Sequence, residues 1–448
     1  MMLVKNKDIN DKIKKSKDII KKEKKKIKEE KRKIHLEKLN KNKLIPKFFK
    51  PKPEEKEVLS LKEQIFYVIF FEIIGAVFCL LILFIISGGR NYIKLYSDLS
   101  KLINVYDTIQ SNYYGDLDKE TLIDEAIKSM VNSVGDDYTT YTIDGQNSAF
   151  YQELEGTYEG IGCSVTTNEN SQIVVVETFE NSPSQKAGLQ KEDIIIKIDD
   201  KDFSDKTSED MANYVKENSN SKVKLTILRN GEEQEITVKR EKVETPTVTS
   251  EIKEVEGKKL GYLDISLFSA VTYEQFKTKL EKLEKEGIEG LVIDVRNDTG
   301  GYLSSVTDIS SLFLKKGQTI YQLEDEKNKE KVKDETKEYR KYPVAVLINS
   351  SSASASEILA SAIKESYGGI IVGTNSYGKG TVQKTKTLKD GSMIKYTTQK
   401  WLTPEGNWIN ETGVIPTNVI EFDIESYTKG IDNQLETALN EILNNIKK

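Results

Sequence analysis

Apolar residues form one long run near the start of the chain. Ile65 to Ser87 (IFYVIFFEIIGAVFCLLILFIIS) is about 23 residues long and contains a single charged residue, Glu72. About 20 apolar residues are enough for a helix to cross the hydrocarbon core of a bilayer. The pattern therefore predicts a transmembrane helix at 65–87, preceded by a head at 1–64.

The spacing of apolar residues changes twice after this run. Leu102, Ile103, Tyr106 and Ile109 recur at helical spacing, which predicts a helical segment at 92–148. Short apolar runs separated by Gly, Asn and Asp then predict a β-rich module at 149–243, interrupted by one helix near 209–217.

Strands and helices alternate over the remaining sequence. The runs at 291–295 and 344–348 are apolar throughout, which is typical of strands in a sheet that is covered on both faces. The alternation predicts an α/β core with a mixed sheet at 244–424, followed by an amphipathic C-terminal helix at 425–448. The fold class predicted for the whole chain is multidomain α/β.

Charge is distributed unevenly between the head and the rest of the chain. Residues 1–64 contain about 23 Lys and Arg against about 11 Asp and Glu, so a net charge of −5 leaves about −17 for the remainder. An excess of Lys and Arg on one side of a membrane helix places that side in the cytoplasm. We therefore expect an uncleaved signal anchor, with a cytoplasmic head and an extracytoplasmic C-terminal part, and we expect no nucleic-acid partner.

The rarity of histidine and cysteine limits the chemistry available. The one histidine, His35, lies in the head, and of the two cysteines only Cys163 lies outside the apolar run. A Cys/His zinc site is therefore excluded from the extracytoplasmic part, and neither a metal nor a cofactor is expected. A serine nucleophile there would need a base other than imidazole.

The sequence NSSSASASE at 349–357 follows an apolar strand and leads into a predicted helix. This arrangement exposes a serine hydroxyl at a strand-to-helix turn, where the helix N-terminus favours a developing anion. The same residues also fit a capping box, in which Ser354 caps the helix and Glu357 reaches back to it. Both interpretations remain open from this motif alone.

A lysine lies between two glycines in GTNSYGKGTVQ at 373–383. Lys379 is a candidate general base because small neighbours allow the backbone to enclose it, and burial lowers a lysine pKa. Gln383, four residues later, is placed to orient it. The stretch also resembles a phosphate-binding loop, but Gly380 stands where that loop needs Ser or Thr, which argues against a nucleotide cofactor.

A third motif, GLVIDVRNDTGG at 290–301, is a buried strand that ends in two glycines. The backbone N–H of Gly300 is a candidate for one half of an oxyanion hole, and that of Ala355 for the other half. An ordinary turn at the end of a strand is the alternative.

The order RNDTGG, SASASEI, GKGTVQ resembles that of the C-terminal processing (tail-specific) peptidases, which are serine proteases with a Ser-Lys dyad. The resemblance extends from about Leu102 to Ile420. It implies that Ser354 is the nucleophile, Lys379 the base and Gln383 its helper. Thr299 departs from the family pattern, which usually has Pro before the paired glycines, but this change removes no catalytic group.

The β-rich module resembles the PDZ domain of the same family. Its sequence GIGCSV at 160–165 is similar to a carboxylate-binding loop, which implies that Gly160, Ile161 and Gly162 bind the C-terminus of a peptide. Arg229 is a candidate polar link between this module and the protease core. Helices near both ends are compatible with a homodimer.

Together these features predict a membrane-anchored serine endopeptidase that recognises the free C-termini of protein or peptide substrates. The alternative is a non-catalytic PDZ receptor or scaffold with a degenerate protease core.

Overall fold

A computed structural model describes residues 21–34, 60–86, 92–143, 149–217 and 220–447. The chain divides into two compact units, Met1–Gly115 and Asp116–Lys448.

Three helices make up the described part of the first unit: α1 (21–34), α2 (Leu61–Ile86) and α3 (Tyr92–Asn112). Within the described residues, α2 is the one helix whose length and apolar composition would allow it to cross a membrane. It begins four residues before the predicted span, because Ser60 and Glu63 form its cap through a 2.8 Å hydrogen bond from the Ser60 N–H to the Glu63 carboxylate. Ser87, the predicted end, lies outside the described residues.

The second unit begins with a helix and two short elements, followed by the β-rich module. The bounds of these elements are α4 (Lys119–Asn132), β1 (Thr140–Thr142), α5 (Ala149–Glu155), β2 (Thr157–Gly160), β3 (Cys163–Thr167), β4 (Ile173–Thr178), α6 (Pro183–Lys186), β5 (Ile194–Ile198), β6 (Lys201–Asp202), α7 (Ser208–Glu217), β7 (Lys222–Arg229), β8 (Glu232–Lys239) and β9 (Glu241–Glu244). Strands β3, β4, β5, β7 and β8 form an antiparallel sheet in that order, and β2 pairs separately with β9. The predicted β-rich module and its one long helix are confirmed.

The α/β core follows, and its main sheet is mixed as predicted. The bounds are β10 (Val248–Val255), β11 (Lys258–Ile265), α8 (Thr272–Lys285), β12 (Gly290–Asp294), α9 (Leu303–Ser311), β13 (Thr319–Glu324), β14 (Lys329–Lys333), β15 (Val344–Ile348), α10 (Ala355–Ser361), β16 (Ile370–Gly373), β17 (Thr381–Thr387), β18 (Met393–Leu402), β19 (Asn418–Val419), α11 (Ile424–Thr428) and α12 (Asn433–Lys447). A π-helical turn, Ala362–Tyr367, continues α10. The sheet has the order β10-β11-β12-β15-β16-β19, with β10 antiparallel to β11 and the other pairs parallel.

Both faces of this sheet are covered, which explains the apolar strands. All residues of β12 and β15 are buried. On one face, side chains of the sheet pack in one apolar cluster with those of α8, α9 and α10, whereas on the other face Val292 and Ala345 pack against Ile442 of α12. The predicted C-terminal helix, α12, therefore packs against the sheet and covers its second face. Since β12 and β15 are adjacent and parallel, the motifs that follow them meet at one edge of the sheet.

A second sheet lies beside the first and supplies the lysine motif. Its order is β1-β18-β13-β14, with β17 paired to β18. The loop that contains Lys379 connects β16 of the first sheet to β17 of the second. This loop allows Lys379, which precedes a strand of the second sheet, to approach Ser354, which follows a strand of the first.

Candidate active site

Ser354 lies at the turn between β15 and α10 in a backbone conformation that is rare for a residue with a side chain. Its φ is 54° and its ψ is −110°. Such conformations cost on the order of 1–3 kcal/mol and persist where the surroundings enforce them, often at functional sites. The turn has the character of a nucleophile elbow, in which the bend exposes a serine hydroxyl above the sheet.

The capping-box pair Ser354 and Glu357 is present, but the serine hydroxyl does not cap the helix. The Ser354 N–H donates to the Glu357 carboxylate at 2.7 Å, whereas the Ser354 side chain makes no capping hydrogen bond. The capping box predicted from the sequence is present, and Ser354 also lines the cleft, so the cap does not exclude the second interpretation of this serine. Its hydroxyl is left available to the cleft.

The Glu357 carboxylate connects the serine turn, residues 349–354, to the lysine loop, residues 374–380 between β16 and β17. It is fully buried and accepts four hydrogen bonds: one from Ser354, and three from the lysine loop, namely the Ser376 hydroxyl at 2.6 Å, the Gly378 N–H at 2.7 Å and the Lys379 N–H at 2.9 Å. Burial raises the pKa of Glu357, while these four donors favour its charged form. One side chain thus fixes the backbone on both sides of the site.

The two glycines that flank Lys379 are required by close backbone packing. A Cβ at Gly378, whose φ is +90°, would lie 2.9 Å from the backbone nitrogen of Glu411. A Cβ at Gly380 would lie 2.6 Å from the Trp408 indole nitrogen, which donates to the Gly380 carbonyl at 2.9 Å. The backbone does enclose the lysine, as the sequence motif predicts.

The Lys379 side chain is partly buried and lies against an aromatic ring. Its Nζ is 4.6 Å from the centroid of the Tyr138 ring. Burial lowers the pKa of Lys379, and the positive charge of Lys395 lowers it further, whereas Glu357 and Asp136 oppose the shift. The direction is the one that a neutral lysine base needs. No hydrogen bond joins Nζ to Ser354 in the described part of the chain.

Within the described residues, Gln383 makes no hydrogen bond to Lys379. It lies on β17, and its Nε2 donates to the hydroxyls of Thr381 at 3.0 Å and Thr397 at 3.2 Å. Lys379 precedes the strand, and the pairing of β17 with β18 shifts register at Val382/Gln383, so the two positions do not follow one regular face. Both residues line the same cleft, and the predicted role of Gln383 beside Lys379 stays a prediction.

The expected oxyanion donors also differ in part from the prediction. The Gly300 N–H donates to the Asp298 carboxylate at 2.8 Å, so the prediction that this N–H serves the oxyanion is wrong for the structure as it stands. The Gly300 backbone does lie against the serine turn, because a Cβ there would be 2.9 Å from the Ala355 nitrogen. Among the described residues, the N–H groups of Ala355 and Gly301 make no hydrogen bond.

One cleft of about 1210 Å³ is lined by the candidate site residues Gly300, Gly301, Ser354, Lys379 and Gln383. Ser354 and Lys379 contribute to its wall together with side chains from α5, β17 and β18. Tyr302 closes part of it by donating its hydroxyl to Glu155 of α5 at 3.0 Å. The cleft has room for several residues of an extended chain.

Hydrogen bonds and close packing hold the loop of the β-rich module that the sequence predicts to bind a carboxylate. The Ile161 carbonyl accepts hydrogen bonds from the Ser184 N–H at 2.9 Å and its hydroxyl at 2.7 Å. Gly162 has a φ of +79°, and a Cβ there would lie 2.5 Å from Ser182. Gly160 ends β2, so the three predicted residues form the turn into β3.

Arg229 does not link the module to the core. Its guanidinium donates to both carboxylate oxygens of Asp193, at 2.7 and 2.6 Å, and to the Gly188 carbonyl at 2.8 Å. All three residues belong to the same module, so the predicted inter-domain link is wrong. The arginine instead stabilises the loop between α6 and β5.

Two contributors to the site were missed by sequence reasoning. Glu357 was considered only as part of a cap, since its partners in the lysine loop are about 20 residues away in sequence. Tyr138, whose ring centroid lies 4.6 Å from Lys379 Nζ, is the second. No local signal in the sequence connects it to Lys379.

Comparisons with known proteins agree on one family. Residues 259–420 match the model of peptidase family S41, residues 160–239 that of a PDZ domain, and residues 87–145 that of the activating protease CtpB N-terminal domain. The chain is 39% identical over 326 residues to the carboxy-terminal processing protease CtpB of Bacillus subtilis (strain 168), covering 72% of this chain and 68% of that protein. It is 34% identical over 331 residues to a probable CtpA-like serine protease of Staphylococcus aureus (strain COL), covering 72% and 65%.

A solved structure of a photosystem II D1 C-terminal processing protease is also similar. It is 24% identical, with a TM-score of 0.43, over 75% of this chain and 88% of that one.

The Glu357 network predicts a measurable cost for a minimal substitution. In Glu357→Gln one of the two acceptor oxygens becomes a donor, so two of the four N–H and O–H groups lose their partner in either orientation of the amide. We expect the free energy of unfolding of the full chain in detergent micelles to fall by about 2–4 kcal/mol. Urea denaturation followed by tryptophan fluorescence measures this, because Trp401 and Trp408 both donate to the lysine loop.

The matched control is Glu425→Gln on the exposed helix α11, where a change within about 0.5 kcal/mol is expected. Equal stability of the two variants would show that the buried carboxylate does not hold the loops together.

Proposed function

Because the chain belongs to peptidase family S41 and is a serine-type C-terminal processing peptidase, we propose that Ser354 and Lys379 form its catalytic dyad. The observation that carries this proposal is that one buried carboxylate bonds to the backbone N–H of both residues, in a cleft that both side chains line. The absence of histidine from residues 36–448 leaves lysine as the available base.

The proposed reaction is acyl transfer through the serine hydroxyl. Neutral Lys379 Nζ takes the proton from Ser354 Oγ as the oxygen attacks the scissile carbonyl, and it then gives that proton to the leaving amine. A water molecule, activated in the same way, hydrolyses the acyl-enzyme and restores the free serine. The proposal requires the lysine side chain to move away from the Tyr138 ring, 4.6 Å from Nζ, until Nζ reaches the hydroxyl.

The oxyanion of the tetrahedral intermediate is assigned to two backbone donors. The Ala355 N–H is the first N–H of α10, so the positive end of the helix faces the developing charge. The Gly301 N–H takes the place predicted for Gly300, because it makes no hydrogen bond among the described residues and lines the same cleft. Gln383 is assigned to the wall of the cleft beside the lysine.

Substrate recognition is assigned to the PDZ domain. Gly160, Ile161 and Gly162 would present backbone N–H groups to the terminal carboxylate of a protein or peptide, and the chain would extend along β3. The fixed Ile161 carbonyl and the positive φ of Gly162 support a preformed loop. The cleft in the core would then receive a more distant part of the same chain.

The first unit supports a proposed arrangement of the chain in a membrane. Helix α2 has the length and composition of a membrane span, and the basic head precedes it. We assign the head to the cytoplasm and the peptidase to the extracytoplasmic side, anchored by a single helix. Assembly as a homodimer belongs to the same proposal.

A non-catalytic PDZ receptor is the second candidate function. It would bind the same C-termini but would need neither a strained serine turn nor glycine packing around a lysine. The cost of both features favours the peptidase.

Removal of either member of the dyad is expected to abolish proteolysis. Ser354→Ala and Lys379→Ala should each lower the rate at which the full chain in detergent micelles cleaves fluorescently labelled casein, by about 10³-fold or more. Ser351→Ala, on the exposed part of the same loop, is the matched control and should keep its activity. Full activity of Ser354→Ala would end the proposal, and full activity of Lys379→Ala would exclude lysine as the base.

The lysine base predicts a specific dependence on pH. Lys379 must be neutral, so kcat/KM should rise as pH increases through its lowered pKa. Because the charge of Lys395 helps to lower that pKa, Lys395→Met should move the rising limb to higher pH. Lys333→Met, at an exposed position on β14, should leave it in place, and an unmoved limb in Lys395→Met would contradict the electrostatic account.

C-terminus recognition predicts a requirement for a free carboxylate. A peptide ending in apolar residues should bind the full chain at least about tenfold more tightly than the same peptide with a C-terminal amide, since the amide removes the charge. Fluorescence anisotropy measures both. Equal binding of the two peptides would exclude the loop at 160–162 as a carboxylate site.

A further inference from the structure

A buried aspartate joins the two loops that supply the assigned oxyanion donors. Asp298 is fully buried in the turn after β12. Its backbone carbonyl accepts hydrogen bonds from the Ala353 N–H at 3.0 Å and the Ser356 hydroxyl at 2.9 Å, on either side of the nucleophile. Its Oδ1 accepts the Gly300 N–H at 2.8 Å. The position of the loop at 298–301 relative to Ser354 therefore depends on Asp298.

Within the described residues, the other carboxyl oxygen of Asp298, Oδ2, is buried and has no hydrogen-bond partner. Burying a charge without compensation is costly, so a carboxyl in this position favours its neutral form. Burial raises the pKa of Asp298 to about 8, and the charge of Asp264 adds to the effect, whereas the hydrogen bond from the Gly300 N–H opposes it.

We propose that Asp298 is a positioning residue whose neutral form permits turnover and whose ionised form stops it. The ionised carboxylate would place a negative charge beside the site where the oxyanion forms. This charge would raise the energy of the tetrahedral intermediate. The inference rests on the proposed dyad and adds an upper pH limit to the lower limit set by Lys379.

The charges around Asp298 come from three elements. Asp264 lies on β11, and Arg296 follows β12 and forms ion pairs with Asp294 and Asp432. Glu357 lies on α10, but its carboxylate bonds to the serine turn and the lysine loop, as described above. Because Arg296 is already paired with two carboxylates, Asp264 is the neighbour whose charge bears on Asp298.

The test is the dependence of kcat/KM on pH, from 6 to 10, for cleavage of labelled casein by the full chain in detergent micelles. The parent is expected to show an alkaline limb near pH 8, where activity falls about tenfold per pH unit. Asp298→Asn keeps an oxygen to accept the Gly300 N–H but cannot ionise, so its alkaline limb should disappear. Asp264→Asn removes the charge that raises the pKa of Asp298, so its alkaline limb should move to lower pH.

An alkaline limb at the same pH in all three proteins would overturn the inference and would leave the dyad intact. So would Asp298→Asn that is folded by circular dichroism but inactive at every pH, because the charged form would then be required. If Asp298→Asn does not fold, the test rests on Asp264→Asn: an alkaline limb at lower pH than in the parent supports the inference, and an unmoved limb overturns it. Casein cleavage that persists in Ser354→Ala would instead refute the proposed function.

Discussion

The buried carboxylate of Glu357 is the interaction on which the candidate site depends. Ser354 ends a loop after β15, and Lys379 belongs to a loop that leaves the main sheet for the second one, so nothing in the chain connectivity fixes their relation. Four hydrogen bonds to one side chain provide that connection. Hydrogen bonds to a charged group are worth about 1.5–3 kcal/mol each, which is enough to offset the desolvation of the carboxylate and the strain at the serine.

Packing and a neighbouring charge both lower the pKa of Lys379. Glycines on both sides allow Glu411 and Trp408 to approach the backbone closely, and the Trp401 indole donates to the Lys379 carbonyl at 2.7 Å. The side chain is thereby held in a partly buried position, where water stabilises its charge less well. Lys395 adds a like charge on the neighbouring strand. The lowered pKa is thus a consequence of packing.

Sequence patterns predicted the elements well and the long-range contacts poorly. The fully apolar β15, the helix after the serine and the closing helix α12 follow from local periodicity, which depends on neighbouring residues alone. The hydrogen bond from the Gly300 N–H to the Asp298 carboxylate, and the register shift beside Gln383, were not predictable from spacing. Arg229 failed because its partner Asp193 lies in the same module. Such pairings are decided by tertiary packing, which a single sequence does not encode in any short pattern.

The central claim is that Lys379 acts as the base for Ser354, and chemical rescue tests it most directly. Casein cleavage by the full-length Lys379→Ala protein would be measured with increasing methylamine, at several values of pH. The account predicts that activity returns in proportion to the concentration of the free amine, and that Ser354→Ala shows no rescue. Cleavage by Lys379→Ala at the parent rate without amine, or equal rescue of Ser354→Ala, would contradict it.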